Sequence, residues 1–256
     1  MKGIKGRVTT FTLLLMALLS PVAQSTGKKA VLLDELYEQA GLYRQLAWVK
    51  ASMTLSYADY DLPNDVLDAF NQVVTVRYSP DYFKFSMMNT LDQALTVDEL
   101  LRLIEWYESP LGQKILKLEA IANNPVNAPR IQTYIEERLS KQLPRSSRSE
   151  LIEELMVALD VVEHGTELAA TTSVGVQRLL REIMPMLGPN SDSSQTLKAR
   201  EKPYIRREMA ERMKGILFYT YRTLSDQEIS RYLDFARGSA MQNFQRGQVH
   251  AVAQML

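Results

Sequence analysis

The sequence predicts an all-α protein built as two related multi-helix halves packed into a helical bundle or array. Three observations carry that prediction. Apolar positions recur at helical spacing, capping chemistry stands where helices should begin, and one helix pattern occurs twice in order.

The elements follow in chain order. Residues 1–25 carry Lys2, Lys5 and Arg7, then an apolar stretch from Phe11 to Leu19, then Ala23 and Ser25. That is the tripartite layout of a secretory signal peptide, with cleavage expected after Ser25. The apolar stretch is too short for a spanning helix, which needs about 20 apolar residues. No later segment is long and apolar enough to span a bilayer once the signal is removed.

Leu42, Leu46, Val49 and Met53 step by helical intervals, as do Leu100, Leu103, Ile104, Tyr107 and Leu111, and Ile205, Met209, Met213 and Ile216. Each set lines one face of a 3.6-residue helix. Val73–Val76 is the best strand candidate, but it reads more simply as the end of a helix beginning near Asp65. Thr96 with Glu99, and Ser225 with Glu228, fit the capping box. Ser147 with Glu150 is a third candidate. Ser79-Pro80 and Ser109-Pro110 each place a cap before a proline suited to the first helical turn. Asn124-Pro125 and Leu143-Pro144 mark further breaks.

The two strong boxes head helices that match under a shift of 129 residues. Glu99 lands on Glu228, Arg102 on Arg231, Trp106 on Phe235 and Gln113 on Gln242. The apolar face maps onto Ile229, Tyr232, Leu233, Ala236 and Ala240. Leu32–Leu36 likewise matches Leu151–Leu155 under a shift of 119. A polar insertion at Gly188–Ser194 would account for the difference. The expected division is residues 1–25 as signal, 26–145 as the first half and 146–256 as the second, with about five helices in each half.

Thr96–Lys114 reads TVDELLRLIEWYESPLGQK. Its cap, aromatic pair and Ser-Pro-x-Gly-x-Lys break resemble the signature of exported bacterial proteins grouped as domain of unknown function 2059. The matching positions are Leu95, Thr96, Asp98, Glu99, Trp106, Tyr107, Ser109, Pro110, Gly112 and Lys114. The second copy departs from it, with Ala236 for the second aromatic, Gly238-Ser239 for Ser-Pro and Met241 at the glycine position. The resemblance implies an exported all-helical protein and brings no catalytic residue, cofactor or substrate. The motif also has a purely structural role. Thr96 and Glu99 start a helix, Ser109 and Pro110 end it and start the next, and Gly112 allows close approach.

Composition narrows the function. The 30 basic and 30 acidic residues balance, and removing Lys2, Lys5 and Arg7 leaves 27 against 30, a net charge of −3. Such a chain lacks the basic character of a nucleic-acid binder. There is no Cys, which excludes disulfides and thiolate chemistry within this chain. Glu108-Ser109 resembles the catalytic dipeptide of goose-type lysozyme folds, but the expected downstream motif is missing. His164 near Glu163 and Glu167 lacks a second His or Cys, so a solvated histidine outweighs a metal site. Lys198, Arg200, Lys202, Arg206 and Arg207 are interleaved with acids and read as a solvated helix start. Met87, Met88, Met184, Met186, Met209 and Met213 read first as core filler, and second as a hint of adaptable apolar binding. No catalytic, cofactor or metal residue is assigned. The expected function is a non-catalytic binding or interaction module of the periplasm, engaging an envelope protein or an apolar ligand. The alternative is a glycan-cleaving envelope hydrolase with an unrecognised carboxylate site.

Overall fold

The computed structural model describes residues 21–57, 62–139, 141, 145–184 and 194–256, with side chains outside the description at 21–26, 55–57, 138 and 194–201. The expected signal sequence through Ser20, the Leu143-Pro144 break and most of the Gly188–Ser194 insertion lie outside the described residues. Among those described there are twelve α-helices and no strand. None of these helices is long and apolar enough to cross a membrane.

The first half contributes α1 (Pro21–Gln39), α2 (Gln45–Tyr57), α3 (Asn64–Arg77), α4 (Pro80–Ala94), α5 (Val97–Glu108), α6 (Pro110–Ala122) and α7 (Ala128–Tyr134). The second contributes α8 (Ser146–Ala158), α9 (Val161–Ile183), α10 (Ser194–Thr220), α11 (Asp226–Ala236) and α12 (Ser239–Met255). The even split of about five helices each is therefore corrected to seven against five. The first half gains breaks because Gly41, Pro63 and Pro125 interrupt its pattern, whereas α9 and α10 run long.

The punctuation explains the boundaries. Val73–Val76 closes α3, as the periodicity indicates. Ser79 and Ser109 cap α4 and α6 and precede a proline in the first turn. Beyond α6, Asn124 caps a short 3₁₀ turn at Pro125–Asn127, with Asn124 Oδ1 accepting from Val126 N at 3.1 Å. The Ser147–Glu150 box does not form. Helix α8 has already begun at Ser146, with Arg145 at its cap and no side-chain capping bond, so Ser147 lies inside the first turn. Arg148 works there instead. Its guanidinium reaches Asp226 at 2.5 Å and the carbonyls of Tyr221 and Leu224 at 2.7 and 2.8 Å. These carbonyls belong to the turn between α10 and α11, so Arg148 ties the start of α8 to that turn.

Helix α1 lies on α4 and α5, while α8 lies on α10 and α11. Across the molecule α12 lies on α4, and α6 lies on α10. The long helix α9 touches α2, α3, α10 and α12. One continuous apolar core includes Leu36, Phe70, Leu100 and Tyr107 from the first half with Leu155, Ile229, Phe244 and Val252 from the second. Burying each helix's apolar stripe against its neighbours is the main stabilising term available to a fold without disulfides. Helix α12 crosses α4 closely, so that a Cβ on Gly247 would sit 2.8 Å from Leu91 Cδ2.

Candidate functional site

The family-like motif forms a helix corner at the seam between the halves. Thr96 Oγ1 accepts from Glu99 N at 3.3 Å, and Glu99 Oε2 accepts from Thr96 N at 2.9 Å. The second box is its counterpart, with Glu228 N to Ser225 Oγ at 3.2 Å and Ser225 N to Glu228 Oε2 at 2.8 Å. Ser109 serves two helices, with Oγ donating to Trp106 O at 2.7 Å and accepting from Gly112 N at 3.0 Å. A Cβ on Gly112 would lie 2.0 Å from Trp106 O, so only glycine fits. Gln113 closes the corner by donating its amide to Tyr107 O. Gln242 closes the second corner the same way, onto Ala236 O at 2.8 Å.

The two corners face each other with reciprocal contacts. Lys114 Nζ pairs with Glu228 Oε1 at 2.7 Å, and Asn243 Nδ2 donates to Glu99 Oε1 at 2.7 Å. Under the shift of 129, Lys114 corresponds to Asn243 and Glu99 to Glu228. Trp106 and Phe235, also counterparts, stack on each other with centroids 4.2 Å apart and planes 9° apart. Both cap glutamates are held below the usual carboxylate range, Glu99 chiefly by the Thr96 amide and Glu228 chiefly by the Lys114 ammonium.

Beside this seam lies a buried acid. Glu119 Oε1 accepts from Tyr221 OH at 2.7 Å and Tyr232 OH at 2.9 Å. Part of the residue reaches the surface, but its carboxyl end is enclosed by aromatic rings. Burial pushes its pKa up, and the two phenol donors oppose that only in part. Tyr107, Tyr221 and Tyr232 are likewise raised, mainly by burial and next by Glu119. Such a carboxyl keeps its proton to higher pH than an exposed one. Sequence reading missed it. The signal is an acid on an apolar stripe, since Leu111, Ile115 and Glu119 recur at four-residue steps.

Two cavities lie elsewhere, and Glu119 lines neither. The larger, about 640 Å³, is an open groove between the α8–α9 corner and α10, walled by Met156, Val157, Val162, Pro203, Arg206 and Arg207 among others. Asp160, at the corner, adopts φ 47°, a left-handed conformation that Asp tolerates better than most residues. Glu163 at the groove edge receives Lys202 at 2.5 Å and Arg206 at 3.5 Å. The smaller, about 240 Å³, is bounded by Arg130, Thr133, Tyr134, Glu137, Tyr219 and Arg222.

The remaining sequence candidates are placed as follows. Glu108 is exposed at the end of α5. His164 is not freely solvated. Its side chain is 18% exposed, lies 3.8 Å from Asp160, and burial lowers its pKa. Among the described residues no cluster of three potential ligands could hold a metal ion. In the basic cluster, Lys202 pairs with Glu163 and Glu167, and Arg206 with Glu163. Lys198 and Arg200 have side chains outside the description, as does Met186. Met87 is buried in the core, Met88 and Met184 pack against it, and Met209 and Met213 are partly buried.

The fold and the corner define a class, an all-α bundle with a capped helix–Ser-Pro-x-Gly–helix signature. Residues 82–141 match the family model described as "Uncharacterized protein conserved in bacteria (DUF2059)". That segment contains α5, α6 and α7, with the motif and Glu119 inside it. No curated protein and no solved structure matches the chain.

Proposed function

We propose that the chain is an exported, non-catalytic binding module of the bacterial cell envelope, and that the groove between the α8–α9 corner and α10 takes an apolar ligand with an anionic end. The observation that carries this reading is the groove's lining. Val157 is 77% exposed there, beside Met156 and Val162, with Arg206 and Arg207 at the same opening. Asp160 and Glu163 line the same opening and Glu163 engages Arg206, so Arg207 is the cation offered to an acid group. An exposed apolar strip beside it suits an acyl chain with such a group, and about 640 Å³ lies within the usual range of ligand sites. The carboxylates at the rim argue for binding over glycan cleavage. Glu163 is engaged by two cations, whereas a glycosidase acid sits in an apolar pocket opposite a second carboxylate.

The test is a titration of the purified protein with dodecanoate, read by calorimetry. Binding that Val157→Asp abolishes, with an unchanged melting temperature, supports the reading. Undetectable dodecanoate binding, or cleavage of cell-wall glycan, overturns it. The leader pattern supports export. Recovery of the chain from a periplasmic extract with Thr26 as its first residue is the expected outcome.

The reciprocal seam supports an internal duplication of residues 26–145 and 146–256. An experimental structure in which residues 30–120 and 149–250 fail to superpose overturns that proposal.

A further inference from the structure

The turn between α6 and α7 carries an exposed apolar tip. Ile121 is 47% exposed at the end of α6, and Val126 is 82% exposed in the 3₁₀ turn that follows. Pro125, Ala128 and Pro129 are exposed around them. From Ala120 to Pro129 the chain has no charged residue. Elsewhere exposed apolar side chains stand among acids on their own helix, Val31 beside Asp34 and Glu35, and Leu101 beside Asp98 and Glu105. Single exposed apolar side chains are ordinary, but a continuous uncharged tip marks a contact surface.

The backbone of the tip is closed on itself. Asn123 N donates to Glu119 O at 2.8 Å, Asn124 N to Ile121 O at 3.3 Å and Val126 N to Asn124 Oδ1 at 3.1 Å. Asn127 N donates to Asn124 O at 2.9 Å, and Ala128 N to Pro125 O. Pro125 and Pro129 have no N–H to satisfy. The Asn127 side chain folds back, with Nδ2 donating to Ile121 O at 2.9 Å. Every backbone N–H from Asn123 to Pro129 is therefore bonded or absent. Leaving water is penalised most where such groups are unpaired, so a turn closed in this way can enter a low-dielectric layer that would reject a solvated loop.

Cations stand one helical turn behind the tip on both sides. Lys117 precedes Ile121 by four residues on the same face of α6, Arg130 follows Val126 by four, and both are exposed. The acid between them, Glu119, accepts from Tyr221 and Tyr232 at the seam. The next charged residues of the chain, Glu136, Glu137, Arg138 and Lys141, balance in sequence and leave the pair uncancelled. Arg222, which lines a cavity with Arg130, adds to the local excess. The net charge of the whole chain matters less, because physiological salt screens exposed charges beyond about 8 Å.

We infer that this tip is a membrane-contact surface. Ile121, Pro125 and Val126 enter the headgroup layer of an anionic lipid bilayer, while the stems of Lys117 and Arg130 lie along it and their heads meet the lipid phosphates. Such contact is shallow and reversible, unlike a spanning helix.

The experiment floats the mature chain, beginning at Thr26, with vesicles on a density gradient. An equal mixture of phosphatidylethanolamine and phosphatidylglycerol should carry the protein up, and phosphatidylcholine alone should bind it at least about tenfold more weakly. Val126→Asp should lower binding at least about tenfold and melt with the parent, because the side chain is 82% exposed. Should that variant melt lower, Val126→Ser makes the same test without a new charge and should lower binding about fivefold. Lys117→Gln and Arg130→Gln should each lower it about fivefold, the effect of one cation near an anionic surface. Val157→Asp should leave vesicle binding unchanged, so the tip and the groove are tested apart. Failure of the protein to float with the phosphatidylglycerol vesicles, equal binding to phosphatidylcholine, or unchanged binding in the Val126 variants overturns the inference.

Discussion

The corner between α5 and α6 and the corner between α11 and α12 solve one problem with different residues. Both begin with a full capping box and bury a matching face, Leu100, Leu103, Ile104 and Tyr107 in one and Ile229, Tyr232, Leu233 and Ala236 in the other. Both are closed by a glutamine donating to the carbonyl six residues back. At the turn they part. Ser109 caps α6 through its hydroxyl and Gly112 presses on the Trp106 backbone, whereas Gly238 caps α12 without a side-chain bond and Met241 fills the glycine position. The difference also reaches the next turn, where Glu119 corresponds to Gln248. The first corner buries an acid under two tyrosines, while the second places an amide beside Gln45. The cap and the face are thus the general requirement for such a corner. The Ser-Pro-x-Gly break and the buried acid are particular to the first, which is also where the family match falls.

The strongest way to break the comparison is to remove the acid. Glu119→Ala leaves two buried phenol hydroxyls unpaired, and should cost about 4 kcal/mol in urea unfolding. Gln248→Ala, at the corresponding position, should cost under about 1 kcal/mol. Equal losses would mean that the acid is not special. Next comes the turn. Gly112→Ala forces a Cβ against a backbone oxygen and should cost about 3 kcal/mol. Met241→Ala only opens a cavity and should cost about 2 kcal/mol. A Gly112→Ala protein as stable as the parent would show that the close approach can relax.

The third comparison is by pH. Glu119 has a raised pKa, so its share of stability is fully present below the ordinary value of 4.5 and is lost as pH rises through the raised one. Glu99 and Glu228 have lowered values, so their share is present above 4.5 and lost as pH falls through the lowered ones. Melting temperature should therefore decline from pH 4.5 upward in the parent, and Glu119→Gln should remove that decline while keeping the acid-side loss. A decline that survives in Glu119→Gln assigns it to another group. The caps come last. Thr96→Ala and Ser225→Ala should each cost about 1 kcal/mol. A clear difference between them would show that the boxes are not equivalent.

Local chemistry was legible in the sequence, and long-range placement was not. Thr96, Glu99, Ser109 and Ser225 form the predicted bonds because a cap needs only residues three apart. Ser147 fails for a reason just outside that window. Helix α8 begins at Ser146, and the neighbouring Arg148 bonds a turn more than seventy residues away in sequence. Glu119 announces itself by its place on an apolar stripe, yet nothing near it in sequence indicates Tyr221 and Tyr232. The two cavities were not legible either. Tyr219 reads as one more aromatic near the end of α10, and it walls a cavity only once α7 packs beside it. The groove's Arg206 and Arg207 were read as a solvated start of α10, and only the α8–α9 corner turns that face into a wall.

The stack of Trp106 on Phe235 joins surfaces that belong to one chain. Two separate molecules meeting through such a patch would come apart on dilution. Here the connection between α7 and α8 keeps the partners together at an effective concentration set by its length, so the seam holds however dilute the protein becomes.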